Sequence, residues 1–214
     1  MISKKDILAV FRGQGLAASF YLRIKLRICP VREIETYLPD DGPVVDLGCG
    51  SGLMAALFML GSDRRRVVGF DLDPKKVEAA RRLQARWPAL AFHEADLTAV
   101  RLPAARAVTI VDVLYLIHYA QQEEILKRCG EALPAGGVLL LKDMAARPRW
   151  KYLWNFFQET LAVKVIGFTL GSSFYFRPEE DYRRTLERLG FEVSVIRLDK
   201  GYWYPHILFV CRKK

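Results

Sequence analysis

The stretch "VVDLGCGSG", Val44 to Gly52, decides how the rest of the chain is read. Val44, Val45 and Leu47 make a short buried strand, broken only by Asp46. Glycines at Gly48, Gly50 and Gly52 follow directly, and an apolar helical stretch runs from there to about Leu60. Glycine reaches backbone conformations that side chains forbid, so the chain can turn sharply and let a ligand approach closely. A helix opened by such a turn points its first amides at that ligand. The turn alone is weak evidence. It gains weight from Asp71, which ends the next β-branched run, Val67-Val68-Gly69-Phe70-Asp71, about twenty residues on. A carboxylate there can accept both hydroxyls of a ribose, so the two features together predict a nucleoside-containing ligand.

Further along, strands alternate with helices. Pro74 opens a helix at its favoured first position. Leu90-Ala91-Phe92 is a weak third strand and Ala107–Val111 a fourth, followed by a helix over Gln121–Leu133. Pro134, Gly136 and Gly137 turn the chain into a fifth strand, Val138–Lys142. Alternation of this kind implies parallel crossovers in an α/β sheet covered on both faces. The end of the chain differs. Pro178 and Glu179 open a helix to about Leu189, closed by Gly190. Two strands, Phe191–Leu198 and His206–Cys211, are joined through Asp199-Lys200-Gly201, so the last strand should run antiparallel.

Composition sets the outer limits. The chain has 214 residues, 51% hydrophobic and 27% charged, which suits a globular core rather than disorder. Lysines and arginines outnumber acidic residues by 33 to 24, a net charge of +9 that favours acidic partners without choosing among them. Cys29, Cys49, Cys129 and Cys211 are scattered, so neither a metal site nor a disulfide framework is indicated and a reducing cytoplasm is the default. Only five apolar residues separate Asp6 from Arg12, too few for a secretory leader. No apolar run approaches the ~18 residues that span a bilayer. The expectation is a soluble, cytoplasmic protein with at most peripheral membrane contact.

The glycines read GxGxG, with Leu53 where a dinucleotide fingerprint needs glycine, and no phosphate loop of the GxxxxGK[ST] type is present. "DLGCGSG", then "GFDLDP" (Gly69–Pro74), "EADL" (Glu94–Leu97) and "VTIVDVLYLIH" (Val108–His118) occur in that order. Over Val44–Asp143, with the terminal hairpin in place, the chain resembles a class I S-adenosylmethionine-dependent methyltransferase. The resemblance implies a Rossmann-like, mostly parallel seven-stranded sheet ending in an antiparallel hairpin, with S-adenosylmethionine as cofactor. It implies that Asp46 and the backbone of Gly48, Cys49, Gly50 and Gly52 hold the methionine end. Asp71 would take the ribose and Leu72 would lie on the adenine. Asp96 and the Leu97 backbone would read the adenine's amino edge, and Asp112 would line the methionine side.

Methyl transfer asks mainly for alignment of an acceptor with the activated methyl, plus removal of a proton if the acceptor is a hydroxyl. The candidate catalytic residues are His118 and Tyr115, beyond the fourth strand, and His206. The terminal hairpin should return His206 to the ligand edge together with Tyr202, Trp203 and Tyr204. His93, just after the third strand, reads as structural.

Two segments stand outside this core. "FYLRIKLRICP", Phe20–Pro30, fits a strand by alternation and a helix by its stripe of Phe20, Ile24 and Ile28. Because family members place N-terminal helices over the pockets, helix is expected here, with that stripe on the pocket roof and Tyr21 reaching the cofactor. Arg23, Lys25 and Arg27, joined by Lys4, Lys5 and Arg12, would form a basic rim that docks an acidic carrier protein or an anionic bilayer. The aromatic stretch Trp150–Phe176 reads as a hydrophobic wall over the acceptor, with Arg177 behind it.

The expected organisation is one domain over 1–214. Residues 1–40 form a helical lid, 44–143 the cofactor-binding core, 150–176 a substrate-side excursion, and 177–214 the terminal helix and hairpin. The overall look is similar to methyltransferases of bacterial lipid- or polyene-type pathways. The expected reaction is O-methylation of a hydrophobic small molecule, phenolic or acyl-like. The alternatives are an RNA or protein methyltransferase and a cofactor-binding subunit without catalysis. No nucleic-acid partner is expected: there is no Asn-Pro-Pro-aromatic tetrapeptide and no appended RNA module.

Overall fold

The strands that follow from this pattern are β1 (Gly42–Leu47), β2 (Arg65–Asp71), β3 (Leu90–Glu94), β4 (Ala107–Val111), β5 (Val138–Met144), β6 (Phe191–Arg197) and β7 (His206–Lys213). The computed structural model describes residues 2–12, 16–144 and 175–214, with 16–21 in backbone only. The strands form one 7-stranded sheet in the order β3-β2-β1-β4-β5-β7-β6. β1 to β5 are mutually parallel, and β7 runs antiparallel between β5 and β6. Parallel strands linked by crossovers end on the same edge, so the loops after β1, β2 and β4 meet there. The turn between β6 and β7 reaches that edge too, because Met144 at the end of β5 pairs with His206.

Helices cover both faces. Val44, Val67, Ala107, Val138, Leu140 and Leu208 pack under α1 (Lys4–Val10), α2 (Leu16–Ile28), α3 (Val31–Glu35), α4 (Leu53–Gly61) and α5 (Pro74–Arg81). Their strand neighbours Val45, Val108, Leu139, Leu141 and Phe209 face α6 (Tyr119–Ala132) and α7 (Glu179–Arg188). This is the period-2 alternation of a sheet buried on both sides. β3 runs on to Glu94, so His93 lies inside the strand, stacked on Phe70 at 5.6 Å.

Phe20–Ile28 is helix, and Pro30 caps the short helix after it. The buried stripe differs from the expected one. Leu22, Leu26 and Cys29 face the core, while Ile24 is 40% exposed and Ile28 half-buried. The spacing i, i+4, i+7 of the three buried residues brings Lys25 to the same side, and Lys25 reaches inward. The side chains of Phe20 and Tyr21, and residues 150–174 of the aromatic excursion, lie outside the described residues.

α3 and α4 are tied to the sheet by a buried arginine. Arg65, 2% exposed, donates to the Pro39 carbonyl at 2.7 Å, to Glu35 at 2.6 Å and to the Phe58 carbonyl at 2.8 Å. Removing one partner leaves a buried charge uncompensated. Glu35→Ala should therefore lower unfolding stability by about 3 kcal/mol, measured by urea denaturation.

Candidate active site

The site is assembled where three strand ends meet. The amides of Gly48 and Cys49 both donate to the Phe70 carbonyl, at 2.8 and 3.0 Å, which pulls the turn after β1 onto the end of β2. Gly48, Gly50 and Gly52 have φ of 74°, 53° and 84°. Gly48 is needed for a second reason, since a Cβ there would lie 2.2 Å from a methyl of Val113. A Cβ at Gly50, by contrast, would meet nothing within 4 Å, so open space lies over the middle of the turn.

Asp71 closes this arrangement. Its Oδ2 accepts the Gly50 amide at 2.8 Å and its Oδ1 accepts the Asp73 amide at 3.0 Å. Each oxygen keeps lone-pair capacity for a further donor. Leu72 beside it is 52% exposed, an apolar platform of the kind an aromatic base covers. Asp96 stands on the next loop, where the amide and hydroxyl of Thr98, both at 2.8 Å, hold its carboxyl below the usual range. Leu97 is buried behind it. Arg128 of α6 fixes this loop by donating to the carbonyls of Leu97, Thr98 and Val100.

Beneath the turn, Asp46 is 1% exposed and accepts the Thr109 hydroxyl at 2.7 Å. Its second oxygen is buried without a partner among the described residues. Burial pushes this carboxyl up to about 7, against the pull of Thr109. Cys49 packs against Gly69, where a Cβ would lie 2.8 Å from the sulfur, and burial raises its thiol, so it is a small filler and not a nucleophile. These residues fit S-adenosylmethionine: an orphaned carboxylate oxygen for a cationic amino-acid end, open space over Gly50, a ribose acceptor and an exposed apolar platform.

One step along β4 lies a second constellation. Asp112 follows β4 with φ at 58°, a left-handed conformation that few non-glycine residues adopt. Lys25 of α2 donates to its carboxylate at 2.9 Å, and Lys142 of β5 donates to the other oxygen. The Cys29 thiol lies 3.5 Å away. Burial would raise the Asp112 carboxyl, but Lys142 and Lys25 outweigh it and hold it well below the ordinary range. Lys142 is 0% exposed. His206 lies on the same sheet face two residues away, since Lys142 pairs with Leu208 and Met144 with His206. Its Nε2 lies 2.6 Å from the Ile28 carbonyl. A carbonyl only accepts, so Nε2 carries the proton and the buried Nδ1 is left with no partner among the described residues.

Of the catalytic candidates, His206 joins this cluster. Tyr115 is buried and stacked on Phe176 at 4.9 Å. His118 is exposed at the start of α6, its Nδ1 3.5 Å from the Ala120 amide. Sequence reasoning missed Lys142 and placed Lys25 on a basic docking rim, whereas Lys25 reaches inward to Asp112. The signal for Lys142 stood in "VLLLKDM": a lone lysine in a fully buried strand needs an acidic partner. Among the described residues no cluster of metal-binding side chains occurs, and no helix is long and apolar enough to cross a membrane.

The methyltransferase domain family matches residues 44–137. A trans-aconitate 2-methyltransferase of Sinorhizobium fredii is 31% identical over 118 residues, 54% of this chain and 44% of that protein. The N,N-dimethyltransferase OxyT of Streptomyces rimosus is 29% identical over 76% of this chain and 47% of its own length. The chain thus spans about half the length of these curated relatives. Among solved structures, an O-methyltransferase family protein from Burkholderia thailandensis superposes with a TM-score of 0.73 at 17% identity, covering 96% of this chain and 62% of that one. Human N-acetylserotonin methyltransferase, in complex with S-adenosylmethionine, gives 0.69 at 20% identity, covering 100% and 60%. These structural likenesses establish the fold.

The raised Asp46 carboxyl carries a pH signature. Its folded value of about 7 exceeds the ordinary 3.8, so folding favours the protonated form. That contribution is present below about pH 4 and is lost as pH rises through about 7. Against an Asp46→Asn variant, wild-type protein should therefore lose a few kcal/mol of stability between about pH 4 and pH 7, read from denaturation midpoints.

Proposed function

This chain carries a class I S-adenosylmethionine-dependent methyltransferase domain, and from that premise we propose that it methylates an oxygen of a hydrophobic small molecule. The observation that carries methyl transfer is the Gly48–Gly52 turn, locked to Asp71 through the Gly50 amide beside open space. When bound, S-adenosylmethionine supplies a methyl group activated by a sulfonium charge. The protein's part is placement. Asp71 would hold the ribose hydroxyls, Leu72 would carry the adenine, and the Asp46 oxygen with the backbone of the glycine turn would fix the methionine end. Holding donor and acceptor in line removes most of the entropic cost of a two-molecule reaction.

The named acceptors of the relatives are dissimilar, so the acceptor reading rests on this chain's own residues. Asp112 is bracketed by the ammonium groups of Lys25 and Lys142. Ammonium groups at that point disfavour a protonated amine beside them, which supports oxygen as the nucleophile. Apolar residues lie close by: Leu22 and Leu26 are buried on the helix that carries Lys25, Leu208 pairs with Lys142, and the Met144 sulfur is 4.0 Å from the Lys142 ammonium. Arg23 and Arg27 remain exposed on α2. They would carry the docking of an acidic carrier or an anionic bilayer.

Two measurements test this. Titration calorimetry with S-adenosylhomocysteine should show Asp71→Ala binding at least about tenfold more weakly, since two hydrogen bonds to a charged acceptor are lost. Incubation with methyl-labelled S-adenosylmethionine and fractionated host extract should place the label in the small-molecule or lipid fraction. Label in RNA or protein instead would refute the acceptor class.

A further inference from the structure

Lys142 is out of keeping with its strand. Every residue of β5 is buried, and Lys142 is 0% exposed. A methionine would fill similar space there with no charge to desolvate, and replacing a buried ion pair by apolar groups is often neutral or stabilising. Stability alone therefore gives no reason for the ammonium. Its contacts do. Lys142 grips Asp112 twice. The Asp112 amide donates to the Lys142 carbonyl at 3.0 Å, one bond beyond the Val111–Lys142 pair that ends the register of β4 on β5. The Lys142 ammonium donates back to the Asp112 carboxylate. Between these two holds the Asp112 backbone takes its left-handed turn, with φ at 58°. Such a conformation persists where the surroundings enforce it.

The turn at Asp112 aims the next residue. Val113 meets Gly48 so closely that the three atoms nearest a Cβ placed there are all its own, at 2.2, 3.1 and 3.2 Å. From Gly48 the contact passes to the cofactor side. The Gly48 amide donates to the Phe70 carbonyl at 2.8 Å, and the Gly50 amide donates to Asp71 at 2.8 Å. Beyond Val113 the chain is fixed from another element. Gln122, buried on α6, donates from Nε2 to the carbonyls of Leu114 and Ile117 at 2.9 and 2.8 Å. Asp112 and Val113 thus span the gap between a loop held by α6 and a strand end held by Lys142.

We propose that Lys142 is a positioning residue for the cofactor: through Asp112 it sets Val113 against Gly48 and so pre-forms the glycine turn that receives S-adenosylmethionine. This rests on the placement of the cofactor at that turn and adds to it a residue from outside the turn. With the ammonium removed, the left-handed conformation at Asp112 loses one of its restraints, and in part of the population Val113 withdraws from Gly48. The ligand then binds only the fraction of molecules in which the turn is formed, and its apparent affinity falls by that fraction.

Titration calorimetry with S-adenosylhomocysteine on Lys142→Met tests this. The variant strands no buried charge, because Lys25 still donates to Asp112 at 2.9 Å. Its Kd should rise about fivefold or more, as for a competent fraction lowered to about a fifth. A Kd within about twofold of wild type would overturn the proposal and leave the cofactor site standing. No binding by wild-type protein would overturn both. Should Lys142→Met fail to fold, Lys142→Met combined with Asp112→Asn removes both enclosed charges, and asparagine tolerates the left-handed backbone. The same rise is expected of it.

Three further measurements separate positioning from stability. Glu35→Ala, destabilised through Arg65 instead, should bind S-adenosylhomocysteine within about twofold of wild type. An equal loss there would mean that affinity merely follows stability, and would overturn the proposal. In ligand-free Lys142→Met, hydrogen exchange should quicken at the Gly48 and Gly50 amides and much less at Leu140 within β5. Equal quickening at all three would report global loosening and would overturn it. Val113→Ala should weaken binding as Lys142→Met does, and adding Lys142→Met to it should weaken binding little further, since both act through one contact. Losses that multiply would show that Lys142 acts by another route, and would overturn the proposal.

Discussion

Two amides on one carbonyl hold this site together. Gly48 and Cys49 both donate to Phe70, and this bifurcated anchor forces the turn after β1 against the end of β2. The approach is so close that no side chain fits at Gly48, where Val113 occupies the space. Once the turn is pinned there, the Gly50 amide meets Asp71, the helix α4 leaves at a fixed angle, and the loop after β4 is fixed from the other side. The open space over Gly50 therefore lies where the ends of β1 and β2 are held together.

The second organising feature is electrostatic. A carboxylate and one ammonium group are enclosed at the end of the sheet with a second, partly exposed ammonium beside them, a costly arrangement unless the buried charges are met by others. Asp112 meets that condition by taking both lysines at once, in a left-handed backbone conformation. Strained, charged and buried groups gather at sites of function more often than elsewhere, because a packed core gains nothing from them. The cluster also explains the rotation of α2. With Lys25 drawn inward, Leu22, Leu26 and Cys29 turn to the core and Ile24 to the surface. The two features are continuous through Asp112 and Val113, so α2 and the glycine turn share one junction.

Much of the fold was legible in the sequence. The glycine turn, the strand-helix alternation and the terminal hairpin are local codes. Glycine marks positive φ, proline marks a helix start, and alternation marks a strand, each within a few residues. The gathering of Asp46, the glycines and Asp71 around one turn was legible for the same reason, since they sit in short ordered motifs whose spacing is set by a strand and a crossover. Helix against strand in Phe20–Pro30 was harder, because both periods fit the same eleven letters.

What the sequence could not decide is who meets whom across the sheet. Lys25 and Asp112 are 87 residues apart, Asp112 and Lys142 are 30 apart, and His206 reaches a carbonyl 178 residues away. Read along the chain, Lys25 belongs to a basic rim and Lys142 to a hydrophobic strand. Only the sheet order, with β4 beside β5 and β7 beyond it, places them around one carboxylate. Motif spacing determined that a nucleoside-type cofactor binds, because those contacts are local and backbone-borne. Charge pairing between distant side chains was decided by tertiary structure, because the energy of a buried ion pair exists only when both partners are brought together.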